Sequence, residues 1–254
     1  MVVIIALSGC DSLFHLSQVP APAPDAPPGP AITGCPMYGS SVGDRDGDGI
    51  GDACDPDPDN TAQPDCFVMV TTFALPDNLT GWTGWSNTND PWTYCTDPAN
   101  KVCSPAASMY SALYHDKALV DVEQVSFAFH ILNLAVNADT VVEVGAKLTQ
   151  GASGDVTGRL CGLTPSGVAI TDRTDGNPNN TTNSSSTITY DIGTEARIDW
   201  KPPTCAVTAL GAAGSGSATT SSQDSSRGQL IAIRNRSTDI IVEWVAAYSK
   251  TCPQ

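Results

Sequence analysis

Residues 122–135, VEQVSFAFHILNLA, decide the fold. Val125, Phe127, Phe129 and Ile131 recur at every second position, so a pleated strand puts all four on one face, whereas a helix would scatter them around its axis. That face is apolar enough to be core, and His130 then points to the outer side of the sheet. The same reading extends along the chain: strands are expected at residues 66–74, 139–149, 185–193, 197–200, 228–236 and 239–250, separated by clusters of Gly, Asn, Pro and Ser. Helical periodicity is scarce. The expected class is all-β, an antiparallel β-sandwich over residues 66–254, long enough for one substantial core. Two polar stretches, TDGNPNNTTNSSS (174–186) and GAAGSGSATTSSQDSSRG (211–228), carry almost no apolar side chains and are expected to be mobile connectors.

Upstream of the sandwich lies GDRDGDGIGDACDPDPDN, residues 43–60. Two carboxylates about 5 Å apart repel by roughly 3 kcal/mol at an effective dielectric near 20. Residues 44–65 crowd eight Asp together with Arg45 as their one basic residue, so the segment either stays extended or binds a cation. Spacing selects the cation. With Asp44 at position 1, carboxylates fall at 1, 3 (Asp46), 5 (Asp48), 9 (Asp52) and 12 (Asp55), glycine falls at 6 (Gly49), and Ile50 at 7 offers its carbonyl. Asp44, Asp46, Asp48, Ile50, Asp52 and Asp55 are therefore the expected ligands of Ca2+. Flanking glycines and prolines bar the helices of an EF-hand. Asp55, Asp57 and Asp59 begin a second series, but Asn60 replaces the glycine and Cys66 occupies position 12, which leaves a half-site.

The phrase DRDGDGIGDACD resembles the thrombospondin type 3 repeat, whose loops wrap calcium without regular secondary structure. The resemblance spans about residues 35–60 and implies the same ligands, together with a disulfide from Cys35, followed by Pro36, to Cys54. One full loop stands here where the family strings several together.

The opening, MVVIIALSGC, resembles a bacterial lipobox at Leu7-Ser8-Gly9-Cys10. That resemblance implies removal of the preceding peptide and diacylation of Cys10, hence a lipid-anchored, extracytoplasmic protein of the bacterial cell envelope. Asp11 interrupts the apolar run well before the roughly 20 residues a spanning helix needs. Residues 11–33 include QVPAPAPDAPPGPA (18–31), a Pro/Ala-rich stretch that favours an extended, disordered tether. Residues 34–65 then form the calcium segment.

Nine cysteines less Cys10 leave eight, an even number suited to an oxidising compartment. Eight cysteines allow 105 pairings; besides Cys35 with Cys54, the expected ones are Cys95 with Cys103, Cys161 with Cys205, and Cys66 with Cys252. The formal net charge of −15 argues against nucleic acid as a partner and against electrostatic adhesion to anionic lipid, so the membrane is reached through the acyl chains only.

The length, strand spacing and C-terminal IIVEWVAAYSK (240–250) of the large domain resemble a concanavalin A-like or laminin G-like jelly roll, in which first and last strands lie side by side. Laminarinase-like hydrolases of that shape use Glu-X-Asp-X-Glu to put nucleophile and acid on one strand face. Here Leu119-Val120-Asp121-Val122-Glu123 has leucine at the first carboxylate, and Glu143, Glu195 and Glu243 stand alone on their segments. No complete catalytic set is found. The segment GWTGWSNTNDPWTYC (81–95) gathers Trp82, Trp85, Trp92 and Tyr94 among small polar residues. Such rings can stack on sugars while amides bond hydroxyls, or they can plug the edge of the sandwich, which is the favoured reading. The expected function is non-catalytic binding of a glycan or a surface protein, in adhesion or surface recognition, with a glycan hydrolase of jelly-roll type or a passive structural surface protein as the alternatives.

Overall fold

The computed structural model describes residues 66–71, 73, 79–96, 101–105, 110–119, 121–134, 141–165, 167–184, 188–210, 216–221 and 228–249. Cys10, the tether, the calcium ligands Asp44, Asp46, Asp48, Ile50, Asp52 and Asp55, and Cys35, Cys54 and Cys252 lie outside the described residues.

The described chain is built of strands: β1 (Cys66–Thr71), β2 (Trp82–Ser86), β3 (Thr93–Tyr94), β4 (Val102–Cys103), β5 (Ser111–His115), β6 (Val122–Leu134), β7 (Val141–Gln150) and β8 (Val156–Thr164) come first. They are followed by β9 (Gly167–Thr174), β10 (Asn177–Asn183), β11 (Glu195–Lys201), β12 (Thr204–Leu210), β13 (Gly216–Ser221), β14 (Leu230–Arg236) and β15 (Thr238–Ser249). One sheet has the order β13-β12-β11-β6-β15-β4-β3, with β1 also on β15; the other has the order β10-β9-β8-β7-β14-β5-β2. The pairings are antiparallel and no helix occurs among the described residues, so the expected all-β sandwich is what the chain builds.

Period-two alternation makes the core. Val125, Phe127, Phe129 and Ile131 of β6 all face inward as the sequence indicates, with the Phe127 and Phe129 rings stacked 4.9 Å apart. They meet Val144, Leu163, Ile170 and Ile233 from the seven-stranded sheet, and Trp200 from β11. Fully burying one such aliphatic or Phe side chain contributes about 1.5–3 kcal/mol. A disulfide from Cys161 on β8 to Cys205 on β12, Cα–Cα 5.3 Å, ties the two sheets together through this core. A second, Cys95–Cys103, closes the small β3–β4 hairpin.

β15 runs down the middle of the larger sheet, paired with β6 on one side and with β4 and β1 on the other. A register shift between Val242 and Trp244 lets Val242 and Val245 both face the core while Trp244, Ala246 and Tyr248 face outward.

Three expectations are corrected. Residues 185–193 were expected to be a strand, but 188–194 make a turn: Asp191 caps the Ile192 amide, Gly193 adopts φ 84°, and the Gly193 amide donates to Ile131. Regular pairing resumes only at Glu195. The stretch 174–186, expected to be a connector, contains β10, and 211–228 contains β13. Both are edge strands, where backbone pairing on one side suffices and no side chain has to enter the core. Pro178 is tolerated in β10 because it sits at a register shift.

Candidate functional site

The outer face of the seven-stranded sheet carries a row of residues in register across six strands: Trp85, Ala112, Arg234, Glu143, Gly162 and Ala169. A second, smaller apolar cluster lies on this face, formed by Ala112, Tyr114, Leu148, Val156, Leu160 and Ala232. The turn after β7 folds over it. Gly154 of that turn approaches Trp85 so closely that a Cβ there would lie 2.4 Å from the indole Nε1, and the Gly154 carbonyl accepts a 2.9 Å hydrogen bond from the Tyr114 hydroxyl. Since β14 and β5 separate β7 from β2, the turn spans the outer face of both. Glycine makes room beneath: a Cβ at Gly162 would meet Glu143 Cγ at 2.6 Å, and one at Gly158 would meet Leu148 Cδ2 at 2.7 Å.

Under the turn sits a buried ionic network. Arg234 donates through Nε and Nη2 to Asp155 at 2.9 and 3.0 Å, and through Nη1 to Glu143 at 3.1 Å. Arg173 donates through Nε and Nη2 to Glu143, both at 2.8 Å, and through Nη1 to the Gly176 carbonyl at 2.8 Å. Burial on its own would push the Glu143 carboxyl up, but the guanidiniums of Arg173 and Arg234 outweigh it and hold the carboxyl below its ordinary value. Burial likewise disfavours the charged form of Arg234, and Glu143 and Asp155 reverse the direction, so its pKa is raised. Two carboxylates and two guanidiniums leave the network neutral. Burial, with Asp155 adding to it, pushes the Tyr114 phenol far up and keeps it protonated as a donor.

This network anchors a polar rim. Asp175, at φ 50° between β9 and β10, accepts from the Ser153 amide at 2.8 Å and the Ser153 hydroxyl at 2.5 Å, joining the β7–β8 and β9–β10 turns. Gln150 donates to the Gly154 carbonyl, Asn177 to the Asp175 carbonyl and Asn179 to Thr174 Oγ1. Ala152, Ser153, Thr174, Asn177 and Asn179 are exposed, and Trp85, which meets Gly154 of the first of these turns, is half-buried. A flat ring next to hydroxyls and amides on a fixed backbone suits a polyhydroxylated ligand: the ring covers C–H faces while the polar groups exchange hydrogen bonds.

The four aromatics of residues 81–95 do not share one surface. Trp82 and Trp92 are core residues, 8% and 4% exposed, because both side chains face into the sandwich. Trp82 meets His115 edge-on at 5.2 Å, and Trp92 fills the space left by Gly84. Tyr94 is exposed but belongs to β3 in the other sheet, so Trp85 is the indole on the outer rim. The glutamates that look solitary in sequence also gain partners. Glu143 enters the network above, and Glu195 and Glu243 lie 3.6 and 3.3 Å from His130 Nε2 on the outer face of the larger sheet, where Lys101 also pairs with Glu243. Among the described residues no group of His, Cys, Asp and Glu is placed to hold a metal ion. Arg173, Arg234, Asp155 and Asp175 were not singled out from sequence; the available signal was an arginine soon after the apolar run in each of two strands, GVAITDRT and LIAIRNR.

No family model and no curated protein matches the chain. Among solved structures, the exoplasmic/lumenal domain of VIP36 in its Ca2+/Man3GlcNAc-bound form is similar, with TM-score 0.47 and 8% identity over 73% of this chain and 90% of that one. The legume lectin-like domain from Entamoeba histolytica gives TM-score 0.47 and 12% identity over 72% and 97%. The carbohydrate-binding module CBM66 from Bacillus subtilis gives 0.41 and 10% over 65% and 92%.

Proposed function

We propose that residues 66–254 form a non-catalytic glycan-binding module whose ligand surface is the rim made by Trp85 and the turns at 150–155 and 174–179. The observation that carries this reading is the contact of the half-buried Trp85 with Gly154, in the same turn as exposed Ser153, which Asp175 joins to the β9–β10 turn. The ionic network beneath fixes both turns before any ligand arrives, so little conformational entropy is lost on binding. In the full protein the module is displayed outside the cytoplasm of a bacterial envelope by acylated Cys10 and the 11–33 tether. The segment 34–65, shaped by Ca2+ on Asp44, Asp46, Asp48, Ile50, Asp52 and Asp55, stiffens the join. Adhesion through surface glycans is the role this arrangement serves.

The test is retention on a glycan array followed by calorimetry on any glycan retained. Trp85→Ala is expected to weaken binding about tenfold, the equivalent of one stacked ring, and to lower the melting temperature because Trp85 packs on the outer apolar cluster, so binding is compared well below both transitions. An array that retains no glycan, or a Trp85→Ala protein that binds as tightly as wild type, removes the reading.

A further inference from the structure

The seven-stranded sheet ends in an edge that is guarded over only part of its length. Of the described strands paired on one side only, β10 is the longest, and Asn177 to Asn183 are all exposed except half-buried Thr182. Natural sheet edges are blunted by charged side chains, proline or bulges. Pro178 and the register shift between Pro178 and Asn180 guard the start of β10, but Asn180, Thr181, Thr182 and Asn183 carry no such device. Their backbone groups stand in regular order. The Ser184 amide donates to the Val168 carbonyl, one step beyond the Asn183–Ala169 pair. Hydrogen bonding along an antiparallel pair alternates, so Asn180 and Thr182 also bond towards β9, while Thr181 and Asn183 turn their amides and carbonyls to the open side.

We propose that this edge pairs with the same edge of a second copy of the chain, β10 against β10, antiparallel about a two-fold axis at Thr181. Charge selects the place. The formal net charge of −15 makes two copies repel unless they meet where local charge is nil. β10 has no charged residue, and neither has β13, which lies against β9 and β10 from the other sheet on the same flank. Asp172, opposite Asn180, is neutralised by Arg159 through two bonds of 2.6 Å, and Arg173, opposite Pro178, belongs to the buried neutral network. With Thr181 on the axis, Asn179 meets Asn183 and Asn180 meets Thr182, so amides and hydroxyls that both donate and accept line the seam. The area is that of a reversible contact: an edge about 23 Å long on a flank about 20 Å deep removes roughly 900 Å² from the two copies together. The outer face runs on across the seam, since Asn183 is in register with Ala169 of the row described above. On the glycan reading, from which this one consequence follows, both rims then look out from one face and grip a glycan-coated surface together.

The experiment is sedimentation equilibrium of the full chain without glycan, carrying Cys10→Ser so that no acyl chain drives association, from about 1 to 300 µM, where contacts of this size dissociate. A monomer–dimer equilibrium is expected, and residue-resolved amide exchange at Thr181 and Asn183 is expected to slow as the dimer fills. Thr181→Lys sets like charges opposite each other on the axis and is expected to weaken association about tenfold or more. Thr181→Pro removes an outward amide and keeps the bonds to β9, so it is expected to weaken association likewise, with an unfolding midpoint close to that of wild type. A chain that stays monomeric at the highest concentration overturns the proposal, as does a dimer that either variant leaves at wild-type affinity. Slow exchange at Thr181 and Asn183 that does not depend on concentration also overturns it, because another segment of the same chain then occupies the edge. No glycan is present, so failure of the pairing is told apart from failure of the glycan reading.

Discussion

Arg234 and Glu143 face each other across β14 and β7 at 3.1 Å, one 0% and the other 1% exposed, with no water-facing side left to either. A charge so placed is tolerable only while its partners remain. Arg234→Met is therefore expected to destabilise the fold by about 3–5 kcal/mol, because Glu143 and Asp155 each lose a guanidinium in a buried setting. Urea unfolding at neutral pH checks this; a loss below 1 kcal/mol would mean that water reaches the network.

The same pair makes a pH prediction. The folded Glu143 carboxyl binds its proton less readily than the unfolded one, so its contribution is complete above the ordinary carboxylate range and fades as the pH falls through its lowered value. The stability difference between wild type and Glu143→Gln should thus be largest near neutrality and shrink in acid. Unfolding midpoints measured from pH 7 down to about pH 3 give the curve, and a difference that grows in acid contradicts it.

Among the disulfides, the one joining the sheets should matter more. Cys161 and Cys205 are 44 residues apart and Cys95 and Cys103 are 8 apart. In the chain-entropy picture their removal costs about 4 and about 2.5 kcal/mol respectively. Paired Cys→Ala variants compared by denaturant titration should rank in that order.

Two glycines separate backbone strain from crowding. Both Gly176 and Gly193 have positive φ, 76° and 84°, but a Cβ on Gly176 would lie 2.0 Å from Asp155 Oδ2 while one on Gly193 meets nothing within 4 Å. Asp155 cannot step aside because Arg234 holds both of its oxygens. Gly193→Ala should cost about 1–2 kcal/mol of left-handed strain, and Gly176→Ala about 3 kcal/mol or more as overpacking adds to it. Equal losses would show that the turn at 174–177 yields.

For the calcium segment, chelation is expected to raise protease cleavage near residues 43–65, and Asp48→Ala should reproduce the effect without chelator. Extracellular loops of this kind bind with dissociation constants of about 10⁻⁴–10⁻³ M, so the comparison belongs at millimolar Ca2+. Identical cleavage patterns in the two conditions would argue against an ion-shaped segment.

The strand at 122–134 was legible because one face of it is entirely core, and alternation survives wherever burial is one-sided. It fails at the sheet margins. β10, NPNNTTN, has no inward residue to betray it, and β8 hides its period behind Gly158 and Gly162, which are small because Leu148 and the Glu143 side chain lie over them. Conversely, the TITYDIG run in 185–193 alternates convincingly, yet the Asp191–Thr194 turn interrupts it and Ile188 alone of its large aliphatics is buried. The site was less legible than the fold. Glu143 finds Arg173 and Arg234 at separations of 30 and 91 residues, and no local pattern encodes a meeting of three strands brought together only by sheet order.

The place of β15 has a bearing on biosynthesis. Residues 238–249 supply the plank to which β6, β4 and β1 all pair, so until they arrive the described strands of the larger sheet are three separate pieces: β13-β12-β11-β6, β4-β3 and β1. Pairings of such long range close slowly. A nascent polypeptide of this design therefore cannot close its larger sheet until residues 238–249 are made.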